Sequence, residues 1–249
     1  MGVIGFNVAN ALRATFLTAD TFGQAFTGIR WYPDVPIYEI GGRWGDHFGR
    51  GALSQSGGYV IWNNFGGTLG FTTGTPRGSS VRMTTGAVIG NDSDLASDSI
   101  AAYRTMNSIT TVRATIRATL VQTADTEVFL GLHDRTVNQA GAITALPTTA
   151  RHAGFILDAS VSANWRRSTA DGTTQSVTSS TTAADTSIHN FVITWTSGNV
   201  NFDIDTTDIG SNTANLPADT DTLAPTLFIQ TEAAAAKIMD IDSVILEFA

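Results

Sequence analysis

The C-terminal part of the chain repeats one unit, a short strand of alternating apolar and polar residues followed by a polar turn. The clearest strands are residues 189–195 (HNFVITW) and 200–205 (VNFDID), and residues 224–231 and 238–248 follow them. Alternation at period 2 places one set of side chains on a buried face and the other towards solvent. Strands at this spacing, with no helical stretch between them, predict an all-β, antiparallel sandwich or barrel.

The same alternation is present earlier in the chain. Residues 110–122 (TTVRATIRATLVQ) place valine, isoleucine, leucine and alanine on one face and arginine and threonine on the other. A helix would scatter these residues around its axis, so the pattern predicts a strand. Residues 91–98 (NDSDLASD) are rich in turn-forming residues, and the sequence predicts a polar loop there.

Residues 1–50 differ from the rest because they hold nine of the 22 aromatic residues. A disordered tail would be poor in aromatics. We therefore predict an ordered, extended segment that packs either on the main domain or on another chain. Residues 41–58 are glycine-rich and predict a loop or hinge. The predicted division is a docking and assembly segment at 1–50 and a β-sandwich at 51–249. The candidate docking residues are Phe6, Phe16, Phe22, Phe26, Trp31, Tyr32 and Tyr38.

Composition excludes several classes of function. The net charge is −8 and the isoelectric point about 4.8, so the surface repels phosphate backbones and nucleic-acid binding is not expected. The absence of cysteine excludes disulfides and thiolate-based zinc sites. The first residues match neither a signal peptide nor a membrane span, which predicts synthesis in a cytoplasm and no membrane partner.

No strong catalytic or metal-binding motif is present. The pairs Asp203/Asp205 and Asp240/Asp242 have a spacing that places two carboxylates on one strand face, but no glutamate lies beside either pair. His133-Asp134 has the residue types of half an acid–base pair, and a surface turn is the favoured interpretation. Asp92, Asp94 and Asp98 alternate as in a calcium loop that lacks its glycine and closing glutamate. The sequence predicts no catalytic residue, no metal site and no cofactor.

One pair of residues is a candidate ligand patch. Trp165 precedes Arg166, and an aromatic face beside a guanidinium can stack on a sugar ring while the guanidinium binds its oxygens.

The chain from Gly154 onwards resembles the concanavalin-like (lectin/glucanase) jelly rolls of bacteriophage virion proteins. The resemblance lies in a strand that reads apolar-x-apolar-x-Trp, a following hairpin, a Leu-Pro turn and a closing strand. The matching residues are Gly154-Phe155-Ile156, Trp165-Arg166, 191–195, 200–205, Leu216-Pro217, 225–230 and 237–248 with Ile241-Asp242. The glucanase strand Glu-x-Asp-x-x-Glu is absent. We therefore predict that the chain is not an enzyme.

The resemblance implies a virion structural protein, a capsid decoration or head-fibre protein that docks through its N-terminal region and projects the jelly roll. Its expected partners are the major capsid protein or another virion protein and further copies of itself, in a trimer. The alternative is a tail-fibre or receptor-binding lectin-like domain that binds cell-surface glycans, and a polysaccharide-degrading enzyme is a third interpretation.

Overall fold

The computed structural model describes residues 43–47, 62–75, 78–97, 103–104, 111–134 and 145–248. These residues form sixteen β-strands and no helix. None of them belongs to a helix long and apolar enough to cross a membrane. The strands are β1 (Arg43–His47), β2 (Trp62–Gly66), β3 (Thr68–Thr75), β4 (Gly78–Thr84), β5 (Asp92–Ser97), β6 (Tyr103–Arg104), β7 (Thr111–Leu120), β8 (Thr126–His133), β9 (His152–Asp158), β10 (Ser162–Ala170), β11 (Gln175–Ala183), β12 (Ile188–Thr196), β13 (Asn199–Ile204), β14 (Thr207–Asn212), β15 (Thr222–Thr231) and β16 (Ile238–Phe248).

The strands form two antiparallel sheets. Sheet A has the order β14-β13-β12-β7-β16-β4-β3, with β1 paired to β16. Sheet B has the order β11-β10-β9-β8-β15-β5-β2, with β6 paired to β15. The predicted all-β jelly-roll sandwich is confirmed.

Alternating side chains in sheet A make one of its faces the core. In β7 the residues Val112, Ile116 and Leu120 are buried with the two alanines between them, whereas Arg113 is exposed. In β12 the same period buries Phe191, Ile193 and Trp195. The sequence pattern therefore gave the correct buried face in both strands.

Aromatic rings fill the centre of the core between the sheets. The Phe155 ring from sheet B lies 5.2 Å from Phe191 and 5.3 Å from Phe202, both from sheet A, in edge-to-face contacts. The Trp165 ring lies 4.7 Å from Phe191. Such pairs contribute about 0.5–1.5 kcal/mol each beyond the area they bury.

Part of the outer face of sheet B, on β8, β9 and β15, is also buried and forms a second apolar cluster. Phe129, Ile156 and Phe228 are at most 3% exposed on three neighbouring strands, and Leu146 packs against them. Gly154 makes room for the Phe129 ring, because a Cβ at this position would lie 2.4 Å from Cε2 of Phe129.

Two sequence predictions about loops are wrong. Residues 92–97, within the predicted polar loop, form β5, which pairs with β2 and β15 and buries Asp94 and Leu95. Pairing on both sides outweighs the local preference of Asp and Ser for turns. Residues 43–47, within the predicted glycine-rich loop, form β1 and pair with the closing strand β16.

One end of the sandwich carries most of the acidic side chains discussed below. Residues 85–91, 121–125, 159–161, 184–187, 205–206 and 232–237 connect the strands there, and we call it the acidic end. Backbone hydrogen bonds join these connections, including Gly90 N–H to Thr231 O at 2.8 Å and Thr85 N–H to Lys237 O at 3.0 Å. The acidic end is therefore a single surface formed by both sheets.

Candidate functional site

Three carboxylates meet at the acidic end, where strands of sheet B begin or end. Glu127 is the second residue of β8, Asp158 ends β9 and Glu232 follows β15. One oxygen from each lies within 4.8 Å of the other two, and all three residues are partly buried. We call this group the carboxylate cluster.

A tight turn holds the three residues together. Asp125 adopts a left-handed backbone (φ 51°), and its carbonyl oxygen accepts the Glu232 N–H at 2.9 Å. The next carbonyl, of Thr126, accepts the Ala159 N–H at 3.1 Å. The turn is itself anchored by Lys237, whose buried Nζ donates to the Ala124 carbonyl at 2.7 Å. Backbone geometry therefore fixes the cluster before any ligand binds.

Asp158 is the most constrained member of the cluster. Its Oδ1 accepts hydrogen bonds from the Ser160 N–H at 3.1 Å, the Ser160 hydroxyl at 2.6 Å and the Val161 N–H at 3.2 Å. Its Oδ2 lies 3.3 Å from Nη2 of Arg166. Asp158 is thus held as the negative partner of a partly buried ion pair.

The carboxyl groups of Glu127 and Glu232 have less compensation of their negative charge than that of Asp158. Burial raises the pKa of Glu127, and the nearby charges of Glu232 and Asp158 raise it further, against a hydrogen bond from the Leu146 backbone and the charge of Arg166. Oε2 of Glu232 is buried and has no hydrogen-bond partner among the residues that the structure describes. A carboxyl group with a raised pKa next to other carboxylates is a common feature of functional sites.

The chemistry open to the cluster follows from its oxygens. Carboxylates are the ligands that calcium and magnesium prefer, and each residue here offers one. The same oxygens can accept hydrogen bonds from a hydroxylated ligand. Arg166 places a positive charge beside Asp158 that competes with a metal ion. Hydrogen bonding to a hydroxylated ligand is therefore favoured over metal binding.

A second titratable group at the acidic end is a histidine between two aspartates. Nδ1 of His189 lies 2.9 Å from Oδ2 of Asp205, and Nε2 lies 3.0 Å from Oδ1 of Asp185. Ionised carboxylates only accept hydrogen bonds, so both contacts are made together only when the ring is a doubly protonated imidazolium. Burial lowers the pKa of His189, but the two hydrogen bonds and the negative charges of Asp205 and Asp185 together outweigh this and raise it overall.

The predicted ligand patch is split between two faces of sheet B. Trp165 is 1% exposed and packs in the core, whereas Arg166 points to the outer face and pairs with Asp158. Adjacent residues of a strand point in opposite directions, so the two side chains do not form one surface. The candidate docking residues, from Phe6 to Tyr38, lie outside the described residues.

Three of the other acidic candidates, Asp240, Asp242 and Asp134, have structural partners. Asp240 accepts two hydrogen bonds from Arg82, both at 2.8 Å, and Asp242 lies 3.2 Å from Nε of Arg117. Asp134 bonds to Arg151 at 3.0 Å. These contacts fit a structural role. The surface turn favoured for His133-Asp134 is wrong, because His133 is a buried residue at the end of β8 and the Asp134 side chain is also largely buried.

No family model matches the chain, and no curated protein matches it. Solved structures do match in fold. The β-glucanase of Bacillus licheniformis superposes with a TM-score of 0.58 and 8% identity, over 85% of this chain and 99% of that one. The Crh5 transglycosylase in complex with NAG gives 0.57 and 12% identity, over 83% and 84%. The Emp47p carbohydrate recognition domain gives 0.56 and 8% identity, over 76% and 88%.

These matches establish a concanavalin-like jelly roll shared with glucanases and a lectin domain. They also overturn the prediction that the chain is not an enzyme. Several of the matched proteins are glycoside hydrolases or transglycosylases, so this fold carries catalysis in those proteins and the missing Glu-x-Asp-x-x-Glu strand is no ground for excluding activity. Sequence reasoning did not single out Glu127 or Glu232, because the three cluster residues come from strands far apart in the sequence.

Proposed function

We propose that the protein binds a glycan at the acidic end, with the carboxylate cluster accepting hydrogen bonds from sugar hydroxyl groups. The observation that carries the proposal is the convergence of Glu127, Asp158 and Glu232 within 4.8 Å. Sugar hydroxyls are donors that a carboxylate pairs with well, because charge-assisted hydrogen bonds are about twice as strong as neutral ones. The shared fold with glucanases and a carbohydrate recognition domain supports the choice of ligand class.

The test is a glycan array followed by calorimetry on the best hit, using the full chain. Glu127→Gln and Glu232→Gln should weaken binding, because each replaces an anionic acceptor by a neutral amide. Asp219→Asn is the matched control, since Asp219 accepts a hydrogen bond from the Ser197 hydroxyl at the opposite end of the sandwich. Binding that is equally strong in all three variants, or no glycan bound on the array, overturns the proposal.

The cluster also favours a second candidate, hydrolysis of the bound glycan. Retaining glycosidases use two carboxyl groups about 5–5.5 Å apart, one protonated and one ionised. Glu127 has the raised pKa that a general acid requires, and Glu232 supplies the second carboxyl group. Release of reducing ends from the bound glycan, abolished in Glu127→Gln, would support this candidate. Tight binding without turnover at any pH would exclude it.

We further propose that the protein is a virion component, forms a trimer and binds the capsid. A phage protein that displays a glycan-binding jelly roll on its particle unites both interpretations of the sequence. In that arrangement the segment before β1, with the candidate docking residues from Phe6 to Tyr38, attaches the protein, and the acidic end of the sandwich faces the host surface.

A further inference from the structure

A short segment lies on the outer face of sheet B and covers the second apolar cluster. Residues 145–151 lead into β9, and we call them the strap. Leu146 of the strap packs against Phe129, Ile156 and Phe228, which form a row across three neighbouring strands. The strap therefore shields an apolar row on a face of the sheet that points away from the core.

A chain of side chains holds two carbonyl groups of the strap. Nδ1 of His152 lies 2.6 Å from the Ala150 carbonyl oxygen, and Nε2 lies 2.7 Å from the Ser168 hydroxyl. Nε2 of Gln175 donates to the Ser168 hydroxyl and to the Pro147 carbonyl, each at 2.9 Å. A carbonyl only accepts, so Nδ1 carries a proton, and Nε2 of the neutral ring accepts the hydroxyl hydrogen of Ser168. A second ring proton would point at the same hydroxyl and take away its acceptor.

The surroundings of His152 also oppose a second proton. The ring is fully buried, stacks on His133 with the ring centroids 6.3 Å apart, and meets the Phe129 ring edge-on at 5.7 Å. Burial lowers the pKa of His152 from 6.5 to about 4, against the hydrogen bond to the Ala150 carbonyl. A histidine exposed to water has its ordinary pKa, so protons bind the opened strap in preference to the closed one.

The positive charge next to His152 is compensated. Arg151 ends the strap, and its guanidinium lies 3.0 Å from the carboxylate of Asp134, after β8, and 3.1 Å from that of Asp221, before β15. The negative charge of Asp171, after β10, also acts on Arg151. The end of the strap is therefore a network of ion pairs, and the protonation of His152 is a separate event.

We propose that the strap is an acid-sensitive cover, closed by neutral His152 and opened when this ring takes up a second proton. The protonated ring carries a charge in apolar surroundings and no longer accepts the Ser168 hydroxyl, so the strap separates from sheet B and the ring reaches water. Opening uncovers Phe129, Ile156 and Phe228. The protein then presents an apolar surface at acid pH that it hides at neutral pH, independently of glycan binding.

Hydrogen exchange of the full chain, followed by NMR, measures how often the strap opens. The Asp134 N–H is the reporter, because it donates to the Arg151 carbonyl at 2.8 Å. The Val121 N–H, which donates to the Ile238 carbonyl at 3.0 Å at the acidic end, is the reference. After correction for intrinsic exchange, the two pKa values of His152 predict that opening at Asp134 becomes about 50-fold more favourable from about pH 7 to pH 4.5. Val121 should show no such change.

Three variants assign the pH dependence. His152→Gln keeps an acceptor for the Ser168 hydroxyl but cannot titrate, so its strap should open equally at both pH values. Leu146→Ala weakens the strap without touching the histidine, so opening should increase at both pH values and keep the 50-fold ratio within about twofold. Glu127→Gln removes the titratable group that bonds to the Leu146 backbone, and it should also keep the ratio.

The dye ANS gives a second readout, because it binds exposed apolar surface. Its fluorescence should rise over the same pH range in the parent chain and not in His152→Gln, while the far-ultraviolet circular dichroism stays constant. Constant opening at Asp134, an equal rise at Val121, or a rise that persists in His152→Gln overturns the inference. The parent chain and Leu146→Ala decide the matter even where His152→Gln does not fold, since opening that is independent of pH in both refutes the proposal.

Discussion

Glu127 and Asp158 lie directly opposite each other on the neighbouring strands β8 and β9. Cross-strand partners have Cβ atoms about 4.5–5.5 Å apart, and like charges at that distance are destabilising. The chain reduces the repulsion by pairing Asp158 with Arg166, and it leaves the Glu127 carboxyl with a raised pKa.

Glu127→Gln should therefore stabilise the protein at neutral pH. A carboxyl group whose pKa is raised by folding favours the folded state below its unfolded pKa, and this contribution is lost as the pH rises through the folded value. Solvent screens part of the effect, so the expected gain is up to about 1 kcal/mol at pH 7. Urea unfolding between about pH 4 and pH 8 checks this. A variant that is less stable than the parent at pH 7 would contradict it.

The raised pKa of His189 predicts that the protein loses stability as the pH becomes alkaline. Its raised pKa contributes stability below the reference value of 6.5, and this is lost as the pH rises through the folded pKa. The lowered pKa values of Asp185 and Asp205 contribute stability above their reference value of 3.8, lost on acidification. The stabilisation from His189, Asp185 and Asp205 should thus be greatest between the two reference pKa values, 3.8 and 6.5.

Melting temperatures measured from about pH 4 to pH 9 should show the alkaline decline in the parent chain and not in His189→Gln. Asp171→Asn is the control, because Asp171 caps an exposed turn through Thr173 and Thr174 and has no histidine partner. It should leave the alkaline decline unchanged, and a decline of the same size in His189→Gln would refute the assignment.

Ile193→Asp should unfold the domain. Ile193 is fully buried in the core of sheet A, and an unpaired charge there costs several kcal/mol against a typical total of about 5–15. Thr194→Asp, one residue along on the outer face opposite Arg113, should change stability by less than about 1 kcal/mol. Equal melting temperatures for the two variants would mean that the strand register is wrong.

Gly154→Ala tests the second apolar cluster. The added methyl group would meet the Phe129 ring at 2.4 Å, so the ring must move, with an expected cost of about 1–3 kcal/mol. Gly70→Ala is the matched control, because a Cβ at Gly70 meets nothing within 4 Å. Chemical denaturation of both variants measures the difference, which should vanish if the ring packs elsewhere.

Deleting residues 1–40 tests the predicted docking role. The truncated protein should fold and should no longer bind the phage particle, because the aromatic docking residues are removed. Circular dichroism and a particle-binding assay give the two readouts. A truncated chain that fails to fold would show instead that these aromatics complete the domain's own core.

The sequence predicted correctly those parts of the fold in which the residues of a single strand are enough to show which of its faces is buried. In β7 and β12, period-2 alternation is sufficient, because each strand has one face towards the core and one towards solvent. The prediction from sequence was wrong for β5. Its Asp and Ser residues favour a turn locally, but pairing with β2 on one side and β15 on the other makes it a strand.

The candidate site was harder to predict because it depends on strand order. Glu127, Asp158 and Glu232 share no spacing in the sequence, and only the neighbouring positions of β9, β8 and β15 bring them together. The strand period alone, however, already argued against a joint patch of Trp165 and Arg166, since consecutive residues face opposite sides.

The buried Lys237 gives the turn below the carboxylate cluster a chemical reporter. It is the only lysine of the chain, its side chain is 7% exposed, and its Nζ donates to the Ala124 carbonyl. Acylating reagents need a free, accessible amine, so the folded protein should protect this side chain from labelling. The rate at which Lys237 reacts therefore measures how often the turn at residues 124–126 opens, and a ligand held by the cluster should slow that reaction.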